Sequence, residues 1–174
     1  ADCVLMDTNV HIDYFIDTFN LPHRRFHRVF VGAEEMEVME ASAIQHMMEH
    51  KAFQIVSIGK FTPLHGLNIM LEAAQLLKDE QEIIFQFVGS GQLIEEIQEA
   101  AQQMRLENVR FPGWIPYEIV PTYLYRADVC LGIFGTTGKA SRVIPGKLYE
   151  ALAMGKAVIT GDSPAIRELL TDGE

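Results

Sequence analysis

The chain has 174 residues, 48% of them hydrophobic, so it is long enough for one domain with a sizeable core. Its 24 acidic residues against 14 basic ones give a formal charge of −10, which argues against broad binding of nucleic acid. The two cysteines, Cys3 and Cys130, have no metal-ligand spacing and favour reduced thiols in a cytoplasmic protein. No apolar run reaches ~18 residues, so no membrane span is predicted.

The first 52 residues predict a strand at 2–8, a helix at 10–22, a strand at 27–32 and an acidic, methionine-rich helix at 33–52. The strand "DCVLMDT" carries the apolar side chains Val4, Leu5 and Met6, which need burial. We expect it to join a sheet edge, of its own chain or of a neighbouring copy, and the second case would produce a homodimer.

From residue 53 onward, apolar strands alternate with amphipathic helices. The predicted strands cover residues 53–59, 83–91, 109–114, 129–135 and 157–162, and the predicted helices cover 67–80, 92–104, 117–127, 146–155 and 163–170. The helix at 117–127 should break near Pro121, and the last helix has Ser163 as its N-cap and Pro164 at its first position. This alternation predicts an α/β fold, a Rossmann-like parallel sheet flanked by helices.

Glycine-rich turns follow the predicted strands. Because the carboxyl ends of parallel strands share one edge, we expect these turns to lie together where α/β sheets bind ligands. The glycines concerned are Gly59, Gly89, Gly91, Gly113 and Gly135.

The stretch "GKFTPLHG", residues 59–66, places Lys60 and His65 before a helix, where free N–H groups favour an anion. Its spacing matches neither a P-loop nor a G-x-G-x-x-G fingerprint. The alternative is a surface lysine and a turn histidine without a ligand. The "GSG" at 89–91 would allow the backbone to approach a ligand closely, but the motif is equally short, and an ordinary strand-to-helix turn would also explain it.

Residues 134–162 form the most informative stretch. A loop with Lys139 and Arg142 leads into a helix that carries Lys147 in its first turn and Glu150 three residues later. A lysine opposes the helix dipole there, so an anion sharing the site would explain it. The alternative is a solvated pair between Lys147 and Glu150.

A rival motif is "HMMEH", residues 46–50, which fits the H-x-x-E-H pattern of inverted zinc proteases. A third ligand would have to come from a later helix, with Glu95, Glu96 and Glu99 as candidates. The alternative is a solvated helix face, because so short a pattern needs structural context.

Four blocks in succession carry a resemblance: "VSIGKFTPLHGLNIMLEAAQLL", "FQFVGSGQL", "VRFPGWIPYEIVPTYLYRADVCLGIF" and "VIPGKLYEALAMGKAVITGDSPAIRELLTDGE". The chain resembles the donor-binding, C-terminal half of a family 4 (group 1) glycosyltransferase with the GT-B fold. The resemblance covers residues 26–174, which implies a nucleotide-sugar-binding domain truncated at its C-terminus. Residues 1–25 resemble the last strand and connecting helix of the missing N-terminal half.

The resemblance implies a nucleotide-sugar donor, retention of configuration and no metal or cofactor. It assigns the donor diphosphate to Lys60 and His65, and the ribose to Glu150. Gly59 and Lys147 join the diphosphate site on physical grounds, because a diphosphate needs two or three positive or N–H donors at a helix N-terminus. The backbone near Ile115 would meet the base. The first glutamate of the family's pair is replaced here by Arg142, so we assign the sugar to the loop residues Gly89, Gly91, Thr137 and Arg142.

The sequence therefore predicts a glycosyltransferase domain whose glycan or lipid acceptor binds the missing half. The chain alone should bind nucleotide without transferring sugar. The alternatives are a sugar-nucleotide epimerase of the same fold and a zinc hydrolase. We expect a cytoplasmic protein, and peripheral attachment of the full-length form to a membrane is an alternative that the sequence does not decide. His65, with a reference pKa near 6.5, should make donor binding tighter at pH 6 than at pH 8.

Overall fold

The computed structural model describes residues 2–33 and 52–173. Strands there are β1 (Val4–Met6), β2 (Phe26–Arg28), β3 (Phe53–Lys60), β4 (Ile83–Ser90), β5 (Val109–Gly113), β6 (Val129–Leu131) and β7 (Ala157–Ile159). Helices are α1 (Asn9–Phe19), α2 (Leu67–Leu76), α3 (Ile94–Gln103), α4 (Val120–Arg126) and α5 (Gly146–Ala153). Single 3₁₀ turns occur at His23–Arg25, Pro63–His65, Tyr117–Ile119 and Ile166–Glu168.

Strands β3 to β7 form a five-stranded parallel sheet in the order β5-β4-β3-β6-β7. The chain builds outward from β3 to β5 and then returns to place β6 on the other side of β3. The order therefore reverses between β3 and β6, and the switch point of the sheet lies at their carboxyl ends. This confirms the predicted α/β fold with a parallel sheet.

Helices cover both faces of the sheet, because alternate strand residues point to opposite sides. On one face, Phe85 and Phe87 of β4 pack with Met70 of α2 and Ile97 of α3. On the other face, Val56 and Val88 pack with residues of α4 and α5, among them Leu124 and Ala151. Burial on both sides explains why β3 and β4 read as continuous apolar runs.

The N-terminal segment, residues 2–28, forms a separate parallel pair in which Val4 lies opposite Phe26. Strand β1 therefore joins a sheet edge of its own chain, the first of the two expected outcomes. The homodimer through this strand and the boundary at residue 25 stay predictions. Helix α1 begins after the buried N-cap Thr8, whose hydroxyl accepts a hydrogen bond from the His11 N–H at 3.1 Å.

Three predicted elements differ from the structure. Pro121 does not break a helix, since it lies in the first turn of α4, where its missing N–H costs nothing. Strand β6 is three residues long: Gly132 still donates to Ile159 at the end of β7, but the Phe134 N–H donates to the His65 carbonyl in the turn before α2. Ser163 does accept from the Ile166 N–H at 3.2 Å, but only a 3₁₀ turn follows.

The helix predicted at 33–52, with the "HMMEH" motif, falls almost wholly outside the described residues. Among the helices in the described part of the chain, none combines the length and apolarity needed to cross a bilayer.

Candidate functional site

The turn at residues 59–66, which we call the β3–α2 turn, lies at the switch point and is held by close backbone packing. A methyl group on Gly89 would lie 1.9 Å from the carbonyl oxygen of Gly59, and one on Gly66 would lie 2.5 Å from the carbonyl carbon of Phe134. Both glycines have positive φ, +138° and +63°. Strand β4 and the segment that follows β6 thus approach the turn so closely that only glycine fits.

Gly91 fits the same account, since an added methyl group would lie 2.6 Å from the backbone nitrogen of Phe61. The structure therefore places Gly89 and Gly91, which we assigned to the sugar, against the backbone of the β3–α2 turn.

The imidazole of His65 covers Gly59: a methyl group there would lie 2.8 Å from the ring carbon Cε1. Burial of the ring, and secondarily the charge of Lys147, lower the pKa of His65 to about 4. The imidazole is therefore neutral from pH 6 to pH 8 in the unliganded protein, and the expectation that it titrates near 6.5 is wrong for that state.

Lys147 enters this site from the first turn of α5, and its amine points into the protein. The Nζ atom donates a hydrogen bond to the Ser57 hydroxyl of β3 at 3.2 Å. Removal from water lowers the pKa of Lys147 to about 7, an effect that the nearby Cys130 thiol opposes. The amine is thus turned toward β3, and the residue as a whole is half-buried.

Lys60 ends β3 with an exposed side chain. The structure thus brings Gly59, His65 and Lys147 together and places Lys60 at the rim of the same turn. The free N–H groups of α2 begin directly after the turn, at Leu67. This corner combines one exposed cation, one buried amine and a helix N-terminus, which is a suitable set for an anion.

Glu150, which is assigned to the ribose, contacts a close chain neighbour of Ile115, which is assigned to the base. Ile115 follows β5 and packs against the cluster that contains Val56 and Val88. Two residues later, the Tyr117 hydroxyl donates to the Glu150 carboxylate at 3.3 Å. Glu150 lies on α5 close to Lys147, so one short helix presents both an amine and a carboxylate.

The loop between β6 and α5, residues 132–145, lines a cavity of about 200 Å³ together with the turn after β7. Its walls are formed by Ile133, Phe134, Gly135, Thr136, Thr137, Ala140, Ser141, Gly161, Asp162, Ser163 and Pro164. Thr137 is among them, as assigned. Arg142 is not, since its guanidinium carbon lies 3.8 Å from the ring centroid of Tyr14 in α1.

Sequence reasoning missed three partners of the assigned residues: Ser57, Tyr117 and Tyr14. Ser57 offered a signal, because a lone hydroxyl in the apolar run "FQIVSI" needs a hydrogen-bond partner once the strand is buried. The other two offered none, because only the fold brings them to Glu150 and Arg142.

Within residues 2–33 and 52–173, no group of three or more His, Cys, Asp or Glu side chains is arranged to hold a metal ion. The two histidines and the glutamate of "HMMEH" lie outside those ranges.

A family model described as Glycosyl transferases group 1 matches residues 52–174. Among curated relatives, WcaI of Escherichia coli K12, a protein named for colanic acid biosynthesis, is 36% identical over 110 residues, which are 63% of this chain and 26% of WcaI. The amylovoran biosynthesis glycosyltransferase AmsK of Erwinia amylovora is 30% identical over 125 residues, 70% of this chain and 30% of AmsK.

Among solved structures, Anabaena HepE in complex with UDP-glucose superposes with a TM-score of 0.82 at 17% identity, over 99% of this chain and 48% of HepE. The chain thus spans about half of that structure and 26% to 30% of the two curated relatives.

Proposed function

The chain belongs to the group 1 glycosyltransferases, and from that premise we propose that it is the nucleotide-sugar-binding domain of a retaining, metal-independent transferase. Its donor is a nucleoside diphosphate hexose, and its acceptor is a glycan or a lipid that binds the other half of a GT-B enzyme. The proposal rests on the family match, on the half-length superposition with HepE and on the chemistry of the switch point.

One observation carries the proposal: the amine of Lys147 is withdrawn from water, bonds to the Ser57 hydroxyl and lies close enough to His65 to lower the pKa of the imidazole. A buried ammonium is costly unless an anion pairs with it. The Ser57 hydroxyl and the neutral imidazole supply no negative charge. A diphosphate at the end of the β3–α2 turn would supply it, and would also reach the exposed Lys60 and the N–H groups of α2.

The ribose, the base and the sugar are assigned to residues near the same corner of the sheet. The Glu150 carboxylate, already bonded to the Tyr117 hydroxyl, accepts hydrogen bonds from the ribose hydroxyls. The backbone at Ile115 meets the base, and Thr137 in the cavity wall meets the sugar. When the glycosidic bond breaks, the leaving diphosphate gains charge, which Lys60 and Lys147 stabilise without reorganisation.

A thermal-shift panel tests the proposal, because a ligand that binds only the folded protein raises Tm. UDP-glucose, the ligand bound to HepE, comes first, with GDP-mannose as the alternative base and UDP as the sugar-free reference. We expect a nucleotide-sugar to raise Tm of the wild-type chain, and a smaller rise for the Lys60→Ala variant. If no nucleotide-sugar on the panel raises Tm, the proposed function is wrong.

Activity separates the domain from the whole enzyme. We expect the purified chain to bind UDP-glucose or GDP-mannose without transferring radiolabelled sugar, because the acceptor site belongs to the other half. Sugar transfer by the chain alone would contradict the assignment of the acceptor site to the other half.

Metal independence has its own test. Binding of the nucleotide-sugar should be equal in EDTA and in buffer, and untagged protein should contain no stoichiometric zinc. One zinc per chain, lost in His46→Ala, would instead support the zinc-hydrolase alternative.

We also propose a cytoplasmic location. Both cysteines are free thiols, Cys3 exposed and Cys130 buried, as expected of a protein in a reducing compartment.

A further inference from the structure

Arg142 occupies the position where the family resemblance places a glutamate, and its side chain is wedged between two parts of the fold. On one side, its guanidinium lies over the ring of Tyr14 at 3.8 Å. On the other side is Gly138, where an added methyl group would lie 3.1 Å from the nitrogen Nη1. The buried Nε atom has no hydrogen-bond partner. Stacking between α1 and the loop therefore holds this part of the side chain.

The backbone beside Arg142 is tied to the same N-terminal segment. The Thr8 hydroxyl donates to the carbonyl oxygen of Arg142. The Ile144 N–H donates to the Asp7 carboxylate at 3.4 Å. Three contacts within three consecutive residues thus fix the end of the loop to α1 and to the two residues that precede it.

This end of the loop continues directly into the wall of the cavity. Thr137 and Ser141 line the cavity, and the Ser141 hydroxyl donates to the Gly138 carbonyl at 2.9 Å. The Arg142 N–H donates to the Lys139 carbonyl at 3.1 Å. Residues 137–142 are therefore one compact turn, and a shift of Arg142 moves the cavity wall with it.

We propose that Tyr14 is a positioning residue for the sugar-binding part of the site, because it seats Arg142 against Gly138 and so holds the wall formed by Thr137 and Ser141. The proposal rests on the function proposed above, since it takes the cavity as the place of the donor sugar. Tyr14 itself touches no part of the donor. The residue is 39% exposed, so its ring serves as a platform for the guanidinium and it is not a core residue.

The test compares three variants of the chain. Tyr14→Ala removes the platform, Tyr14→Phe keeps the ring, and Phe19→Ala removes another aromatic ring from α1 that is 57% exposed. Two quantities are measured: amide hydrogen exchange of residues 136–144, and the ratio of the dissociation constants for UDP-glucose and UDP. A loss of general stability would not change that ratio.

In Tyr14→Ala we expect faster exchange at residues 136–144 and a binding of UDP-glucose that weakens about two- to fivefold more than that of UDP, the range expected for one cation–π contact. Tyr14→Phe and Phe19→Ala should match the wild type in both. If Tyr14→Ala does not fold, Tyr14→Leu carries the same expectation, because leucine fills the space without a π face.

Unchanged exchange in the alanine or leucine variant overturns the proposal, and so does equal weakening of UDP-glucose and UDP. Absence of UDP-glucose binding by the wild type would count against the proposed function with this donor. The exchange rates of residues 136–144 would then still decide whether Tyr14 seats the loop.

Discussion

The two walls of the candidate site are fixed in different ways. The β3–α2 turn is held by contacts between backbone atoms. Gly89 lies against Gly59, and Gly66 lies against Phe134, at distances that leave no room for a methyl group. The end of the β6–α5 loop, residues 142–144, is held by side chains from α1 and from the two residues that precede it, among them Tyr14.

This difference predicts how strongly each wall depends on the identity of its side chains. Backbone contacts at glycines fix the β3–α2 turn with little dependence on side-chain chemistry. A wall whose position depends on the contact between Tyr14 and Arg142 shifts when either residue is replaced. We expect the β3–α2 turn, the proposed diphosphate end, to tolerate substitution poorly and the proposed sugar end to be the more variable part.

The strongest test of the rigid wall is Gly89→Ala. The new methyl group would clash with the Gly59 carbonyl oxygen, and φ of +138° is unfavourable for alanine. We expect a loss of about 3 kcal/mol in the free energy of unfolding, from overpacking and backbone strain together. Urea denaturation measures it.

Gly146→Ala is the matched control, because an added methyl group there meets nothing within 4 Å. Its stability should stay within about 0.5 kcal/mol of the wild type. Equal stability of the two variants would show that the β3–α2 turn can relax, and the contrast between the walls would fail.

Lys60→Ala tests the exposed cation at the rim of the rigid wall. If Lys60 contacts the diphosphate, binding of UDP-glucose or GDP-mannose should weaken by about 1.5–3 kcal/mol, as for a charge-assisted hydrogen bond. Isothermal calorimetry measures the change. The control is Lys78→Ala, another exposed lysine, which lies after the other end of α2 and should bind as the wild type does. Similar affinities for both variants would assign the diphosphate to other groups.

Lys147 makes the rigid wall sensitive to pH. Its free pKa is about 7, and a bound diphosphate favours the ammonium and raises that pKa. The added affinity is therefore full below pH 7 and fades as pH rises through the bound pKa. With a bound pKa above 8, the wild type should bind an intact nucleotide-sugar about tenfold more tightly at pH 6 than at pH 8.

Lys147→Met should abolish this slope, whereas His65→Ala should keep it. The pKa of His65 is about 4 in the free protein, and beside the Lys147 ammonium we expect it to stay below pH 6 in the complex as well. A slope that disappears only in His65→Ala would reverse the two roles. In the absence of ligand, Lys147→Met should also raise Tm at pH 7, since the lysine binds more protons unfolded than folded and so reduces stability there.

The side-chain-held wall depends on Glu168, which fixes α1. Its carboxylate accepts the N–H groups of Asn9 and Val10 at 2.9 and 3.0 Å and pairs with Arg28 at 3.0 Å. Burial would raise the pKa of Glu168, but these three donors hold it below its ordinary value. Glu168→Gln should cost about 1 kcal/mol of stability at pH 7.

That stabilisation is present above the unfolded pKa of the carboxyl group and is lost as pH falls through the lower folded value. The difference in Tm between Glu168→Gln and the wild type should therefore become smaller below pH 4, which thermal melts at several pH values measure. A gap that stays constant with pH would mean that the carboxylate charge does not hold α1.

Most of the fold could be predicted from local patterns. The sequence "FQIVSIG" is an apolar run that ends in glycine, and it becomes the central strand β3 of the parallel sheet. Prediction was poorest where tertiary contacts decide how far an element extends. Strand β6 is shorter than predicted, since the Phe134 N–H beyond it donates to the His65 carbonyl in the β3–α2 turn, and a 3₁₀ turn replaces the helix predicted after Ser163.

The sequence by itself determined the parallel α/β sheet, the glycine edge at its carboxyl end and the family, since periodicity, turn residues and motif order are local signals. Only the tertiary structure decided the state of the charges. Lys147 has a pKa near 7 because the fold brings it to Ser57, 90 residues earlier, and away from water. Arg142 faces Tyr14 for the same reason: burial and distant partners depend on packing, which spacing along the chain does not contain.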